Sequence, residues 1–146
     1  MSLRGWAVAF IFLVCASQHL FGATLDIDTG YSSAVAPLPN GLAIVWNHSE
    51  YDELQHVKTT VMGGKVISGK LVSSRPLESG EYLYKLRLGC HDQDCLATWS
   101  VPSAFGLTIR GIWLFSSLPA FDIAETVCEY ATPEWNGDSF IITAGF

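Results

Sequence analysis

The chain has 146 residues, 49% of them hydrophobic and 15% charged, with a formal net charge of −6 at pH 7. That composition lies far from the disordered regime, and the length suits one domain with a core of its own but not two. The acidic balance argues against nucleic acid or an anionic membrane surface as partner.

Met1 to Arg4 lead into an apolar run from Gly5 to Ala16, followed by polar Ser17, Gln18 and His19. This is the layout of a secretory signal peptide, and the run falls short of the roughly 20 apolar residues that cross a bilayer as a helix. Small residues at the last and third-from-last positions are met better by Val14 and Ala16, or Cys15 and Ser17, than by Phe21 and Ala23. The cut is therefore expected between residues 16 and 24, leaving a single β domain over 24–146. Its removal takes Arg4 and no carboxylate, leaving seven Lys and Arg against 14 Asp and Glu. No second run long enough to span follows, and Thr143-Ala144-Gly145-Phe146 is not an ER-retention tetrapeptide. Secretion is the expectation; residence in the ER lumen, as a subunit of a larger complex, is the alternative.

Asp28-Thr29-Gly30 is the triplet that aspartic proteases carry. Their chemistry needs two carboxylates about 3 Å apart sharing one proton, and this chain has no second triplet. Bulky Tyr31 also follows the glycine, so the segment reads as a turn.

Short β-branched and aromatic stretches broken by Gly, Pro, Asn or Ser predict an all-β fold, a sandwich or a small barrel. Strands are expected near Thr24 to Asp28, Gly41 to Asn47, His56 to Met62, Lys65 to Ser73 and Glu81 to Gly89. Others are expected near Cys95 to Val101, Phe105 to Ser116, Ile123 to Tyr130 and Ser139 to Ala144. Ala34 to Gly41, with Pro37 and Pro39, reads as a connection. The pair Gly63-Gly64 reads as a type I′ hairpin turn, since both glycines can take positive φ.

Asn47-His48-Ser49 is a glycosylation acceptor, which would place Asn47 to Leu54 at the surface. From Tyr82 to Leu88 the even positions Tyr82, Tyr84, Leu86 and Leu88 are apolar or aromatic, with Lys85 and Arg87 on the other face. Leu107, Ile109, Trp113 and Phe115 repeat that alternation, although Ile112 and Leu114 make the far end apolar on both sides. The segment Leu77-Glu78-Ser79-Gly80-Glu81-Tyr82-Leu83-Tyr84 resembles the corner before a core strand in immunoglobulin-like and fibronectin-like sandwiches, where a Tyr after a Gly turn bonds back to the backbone. The resemblance covers eight residues and implies architecture, not activity; the immunoglobulin Cys-Trp-Cys spacing is missing.

Loss of Cys15 with the leader leaves Cys90, Cys95 and Cys128, an odd number in an oxidising compartment. Cys90 and Cys95 flank four polar residues, and a hairpin there would set them opposite one another. Chain entropy favours the rival Cys90 to Cys128 bridge, worth roughly 4 kcal/mol against roughly 2 kcal/mol for the short loop. Either pairing leaves one thiol that could link a second chain in a homodimer. The same stretch, Cys90, His91, Asp92, Asp94 and Cys95, has metal-ligand chemistry, but oxidised sulfurs cannot ligate and no second pair of ligands accompanies it. No metal or other cofactor is expected.

A nucleophilic hydrolase needs a His in a recognisable setting, and His48, His56 and His91 have none; no elbow, phosphate loop or dinucleotide fingerprint occurs. The chain is read as a non-enzyme. Trp46, Trp99 and Trp113 fall on strand positions, whereas Trp135 lies in the polar stretch Thr132 to Asp138. Trp135 with neighbouring Tyr130 is the aromatic pair expected to bind a partner. The leading expectation is a secreted, disulfide-bearing β domain that binds a protein as effector, ligand or accessory subunit; a carbohydrate-binding module using Trp135 and Tyr130 is the rival.

Overall fold

A computed structural model describes residues 32–145. The leader, the Asp28-Thr29-Gly30 triplet and the strand expected over Thr24 to Asp28 lie outside them. The described residues form ten strands and no helix: β1 (Ser33–Leu38), β2 (Gly41–Tyr51), β3 (Val57–Ile67), β4 (Lys70–Gly80), β5 (Tyr84–His91), β6 (Asp94–Ser103), β7 (Gly106–Trp113), β8 (Phe121–Thr126), β9 (Tyr130–Trp135) and β10 (Phe140–Gly145). They pair in chain order into a four-stranded sheet β1-β2-β3-β4, a second β5-β6-β7-β8, and a hairpin β9-β10, antiparallel throughout. The expected all-β, sandwich-like class is what the chain adopts.

The two four-stranded sheets face each other across one apolar core. Leu38, Ala43, Val45 and Val61 meet Leu86, Cys95, Ala97, Trp99, Ile112 and Leu114, all buried. Alternation along β6 turns Thr98 and Ser100 the other way, where their hydroxyls donate to the carbonyls of Ala131 and Glu129. The β9-β10 hairpin thus forms a third layer on the outer face of the second sheet. This answers why β7 is apolar on both sides near Ile112 and Leu114: one face meets the core, and Trp113 on the other meets Phe140 edge to face at 5.4 Å.

Polar side chains tie the first two layers together. Glu78 of β4 accepts from Trp99 Nε1 at 2.7 Å and Arg110 Nε at 3.0 Å, and pairs with Arg110 Nη2 at 2.8 Å. Arg110 also reaches Asp122. Nearby, Arg75 Nη2 donates to the carbonyls of Leu114 and Ser116. These contacts run in opposite order along β4 and the β7 segment, so the two strands lie roughly antiparallel across the core.

Gly63-Gly64 is not a turn. β3 runs through both residues, and the glycines serve close packing: a Cβ on Gly63 would collide with the Leu114 and Leu77 side chains, one on Gly64 with the Ser73 carbonyl. The I′ turn lies a few residues on, at Ser68 (φ 50°) and Gly69 (φ 72°). Ala34 to Leu38, read as a connection, is β1; it tolerates Pro37 because it is an edge strand. The stretch from Ile123 to Tyr130 breaks after Thr126 and feeds β8 and β9 separately.

Candidate functional site

The hairpin closed by Asp92 and Gln93 pairs Cys90 with Cys95, and the two form a disulfide with Cα atoms 4.1 Å apart. Asp92 takes the left-handed conformation (φ 51°) that its short polar side chain tolerates. Register therefore decides against the rival bridge: Cys128 is free and half-buried. With both sulfurs oxidised, the metal-ligand reading of this loop has lost its thiolates.

Trp135 does not stand on a loop. It ends β9, its ring stacks on His91 with centroids 4.1 Å apart and planes 7° from parallel, and Phe140 meets its edge at 5.3 Å. Tyr130 is engaged as well, with the Arg87 guanidinium 4.5 Å from its ring centroid. The structure does not bring the two rings together as a pair: they occupy opposite ends of β9.

Asn47, expected at the surface as a glycan acceptor, is 2% exposed. Its Oδ1 accepts from Ser32 N at 3.0 Å and its Nδ2 donates to the Leu83 carbonyl at 3.4 Å. The amide stitches β2 to the crossover between the sheets, and a glycan on that nitrogen would displace the Leu83 bond. Exposure begins only further along the segment, at Glu50.

Antiparallel order has a consequence for the loops. In the first sheet the end of β4 meets the start of β3, and in the second the start of β5 meets the end of β6, the start of β7 and the end of β8. Hence the β2-β3, β4-β5, β6-β7 and β8-β9 connections all gather at one end of the sandwich. Each displays a large apolar side chain: Leu54, Tyr82, Phe105 and Val127, between 60% and 84% exposed. A Cβ placed on Gly106 would lie 3.8 Å from Val127 Cγ1, which makes Phe105 and Val127 near neighbours. Other exposed apolar residues are dispersed over the strands, such as Val35, Val72 and Ile141, or lie on the β7-β8 loop, where Lys65 covers the Phe115 ring at 4.8 Å.

The β2-β3 loop is held in shape. Asp52 Oδ1 accepts from the backbone of Leu54 and His56, each at 2.8 Å, and Oδ2 meets His56 Nδ1 at 3.0 Å. Gln55, at φ 64°, donates to the Asp52 carbonyl. One carboxylate thus presents Leu54 on a preformed turn, which lowers the entropy cost of binding.

Around the apolar residues the end is acidic. Glu50, Asp52, Glu53, Glu81, Glu125 and Glu129 are exposed there, against Lys58 and Lys85, and Lys85 is paired with Glu129 at 3.2 Å. No sequence signal named this site, because Tyr82 sits on the core side of the simple alternation. Lys85 at φ 58° and the register shift between Tyr84 and Arg87 form a bulge that reverses the phase, so Leu83 is buried and Tyr82 turns outward. The exposed Tyr82 also departs from the tyrosine corner that the segment resembles.

No protein-family model matches this chain, and no curated or solved protein matches it.

Proposed function

We propose that this chain is a secreted, disulfide-bearing β domain that binds a protein through the end formed by the β2-β3, β4-β5, β6-β7 and β8-β9 connections. The observation that carries the reading is the gathering of Leu54, Tyr82, Phe105 and Val127, exposed, at that end. Exposed apolar patches rimmed by polar residues mark interaction sites, and aromatic side chains dominate the energetics of such contacts. The acidic rim selects a partner whose own contact surface is basic around apolar pockets, and it speeds encounter with such a partner at low salt. A sugar-stacking site at Trp135 is not favoured, because His91 already lies on that ring.

The test is binding to cell surfaces or secretions with Leu54→Asp and Phe105→Asp combined. Both side chains are exposed, so the variant keeps the wild-type melting curve while binding falls by at least tenfold. Unchanged binding by a folded double variant would remove the reading.

A further inference from the structure

Between β4, an edge strand of the first sheet, and the loop joining β7 to β8 lies a cleft of about 420 Å³. Its floor is apolar, with buried Leu114 packed on Gly63. One wall is Ser73, Ser74 and Arg75; the other is Phe115, Ser116 and Ser117. Register shifts in the β3-β4 ladder, between Val61 and Met62 and between Lys65 and Val66, bracket the first wall. Such bulges re-aim side chains and are common beside functional sites. The β7-β8 loop belongs to the end of the sandwich opposite the acidic one, so binding here is independent of what the acidic end binds.

Arg75 indicates what the cleft takes. The residue is half-buried, and its Nη2 donates to the carbonyls of Leu114 and Ser116. Its Nε and Nη1 have no partner among the described residues. Neutral carbonyls fix the guanidinium in place without cancelling its charge. Arg110 has Glu78 and Asp122, whereas Arg75 pairs with no carboxylate among the described residues, in a chain with 14 Asp and Glu against eight Lys and Arg. Glu78, the only acid of β4, is engaged by Trp99 and Arg110. Lys65 adds a second positive charge beside the cleft: its Nζ lies 4.8 Å from the Phe115 ring centroid and 3.4 Å from Gln93 Oε1, again with no carboxylate partner among the described residues. A partly desolvated cation without a counter-ion is unfavourable, and an anionic ligand offsets that cost.

The other walls narrow the anion. Four serine hydroxyls, each able to donate and to accept, suit a ligand that itself carries hydroxyls. Phe115, 41% exposed, offers a flat apolar surface. The volume falls in the range of small-ligand sites, about 300–1,000 Å³, and a bare oxyanion would leave most of it to water. A peptide strand added to the β4 edge is disfavoured by Pro76 and by the two register shifts, which interrupt the row of backbone groups it would pair with.

We infer that this cleft binds an acidic sugar, with its carboxylate on Arg75, its hydroxyls on the serines, and an apolar face of the pyranose ring against Phe115.

Chemical-shift titration of the full chain with three matched probes tests this: methyl glucuronide; methyl glucoside, which lacks the carboxylate; and acetate, which lacks the ring. The expected result is millimolar binding of methyl glucuronide that moves the amides of Ser73 to Arg75 and Phe115 to Ser117, with the other two probes weaker by roughly tenfold or more. Arg75→Gln weakens methyl glucuronide binding to the level of the glucoside. Phe115→Ala, at an exposed position, weakens it severalfold with an unchanged melting curve. If Arg75→Gln loosens the β7-β8 loop, the Phe115 variant and the probe series on the unaltered chain still decide. Methyl glucoside or acetate binding as tightly as methyl glucuronide, shifts away from the cleft, tighter binding of an acetylated dipeptide with a free carboxylate, or no shift up to about 0.1 M methyl glucuronide would each overturn the inference.

Discussion

Glu78→Ala removes the carboxylate through which β4 holds the second sheet. Trp99 is 1% exposed, and its indole N–H loses its acceptor. An orphaned buried donor costs about 1–3 kcal/mol. The Arg110 and Glu78 side chains are 26% and 21% exposed, so screening discounts their ion pair, and Arg110 keeps Asp122 as a partner. That loss adds about 1 kcal/mol, for a total of about 2–4 kcal/mol. Glu78→Gln keeps an acceptor oxygen for the indole and sacrifices charge alone, at about 1–2 kcal/mol. Urea denaturation followed by tryptophan fluorescence reads both values. A loss under about 0.5 kcal/mol for the alanine variant, or equal losses for alanine and glutamine, would refute the reasoning.

Other substitutions probe the features that sequence reading misplaced. Gly63→Ala should destabilise by about 1–3 kcal/mol, because the new methyl meets Leu114 and Leu77 in a filled core; a neutral result in denaturant would mean that β3 does not pack as described. Ser68→Asn should stabilise by a few tenths of a kcal/mol, since Asn-Gly suits a I′ turn better than Ser-Gly, and thermal melting reads the sign. Asn47→Ala should cost about 1–3 kcal/mol in denaturant, because the buried amide it removes bonds the Ser32 N–H and the Leu83 carbonyl.

The class of fold was legible because strands with core and solvent faces write alternation into sequence, as the stretch from Leu107 to Phe115 does. The cysteine pairing was legible from local geometry, and chain entropy pointed the other way; entropy ranks bridges only among those the register allows. Turn chemistry misled at Gly63-Gly64, where close approach by Leu114 needs the same residue that a I′ turn needs. Trp135 read as a loop residue because its neighbours are polar, yet those neighbours alternate on a hairpin whose other side carries Ala131, Pro133 and Phe140. The apolar end was hidden for a different reason. Leu54, Tyr82, Phe105 and Val127 are far apart in sequence and come together only through the parity of an antiparallel chain, and the bulge at Lys85 that turns Tyr82 outward leaves no mark in composition.

The central claim is that this protein meets its partner through the end where those four side chains lie. Placing a photo-crosslinking amino acid at Phe105, and in a separate chain at Val35 on β1, tests it most directly on the native partner surface. Adducts from position 105 with none from position 35 are the result predicted; adducts from position 35 alone, or from both positions equally, would contradict it.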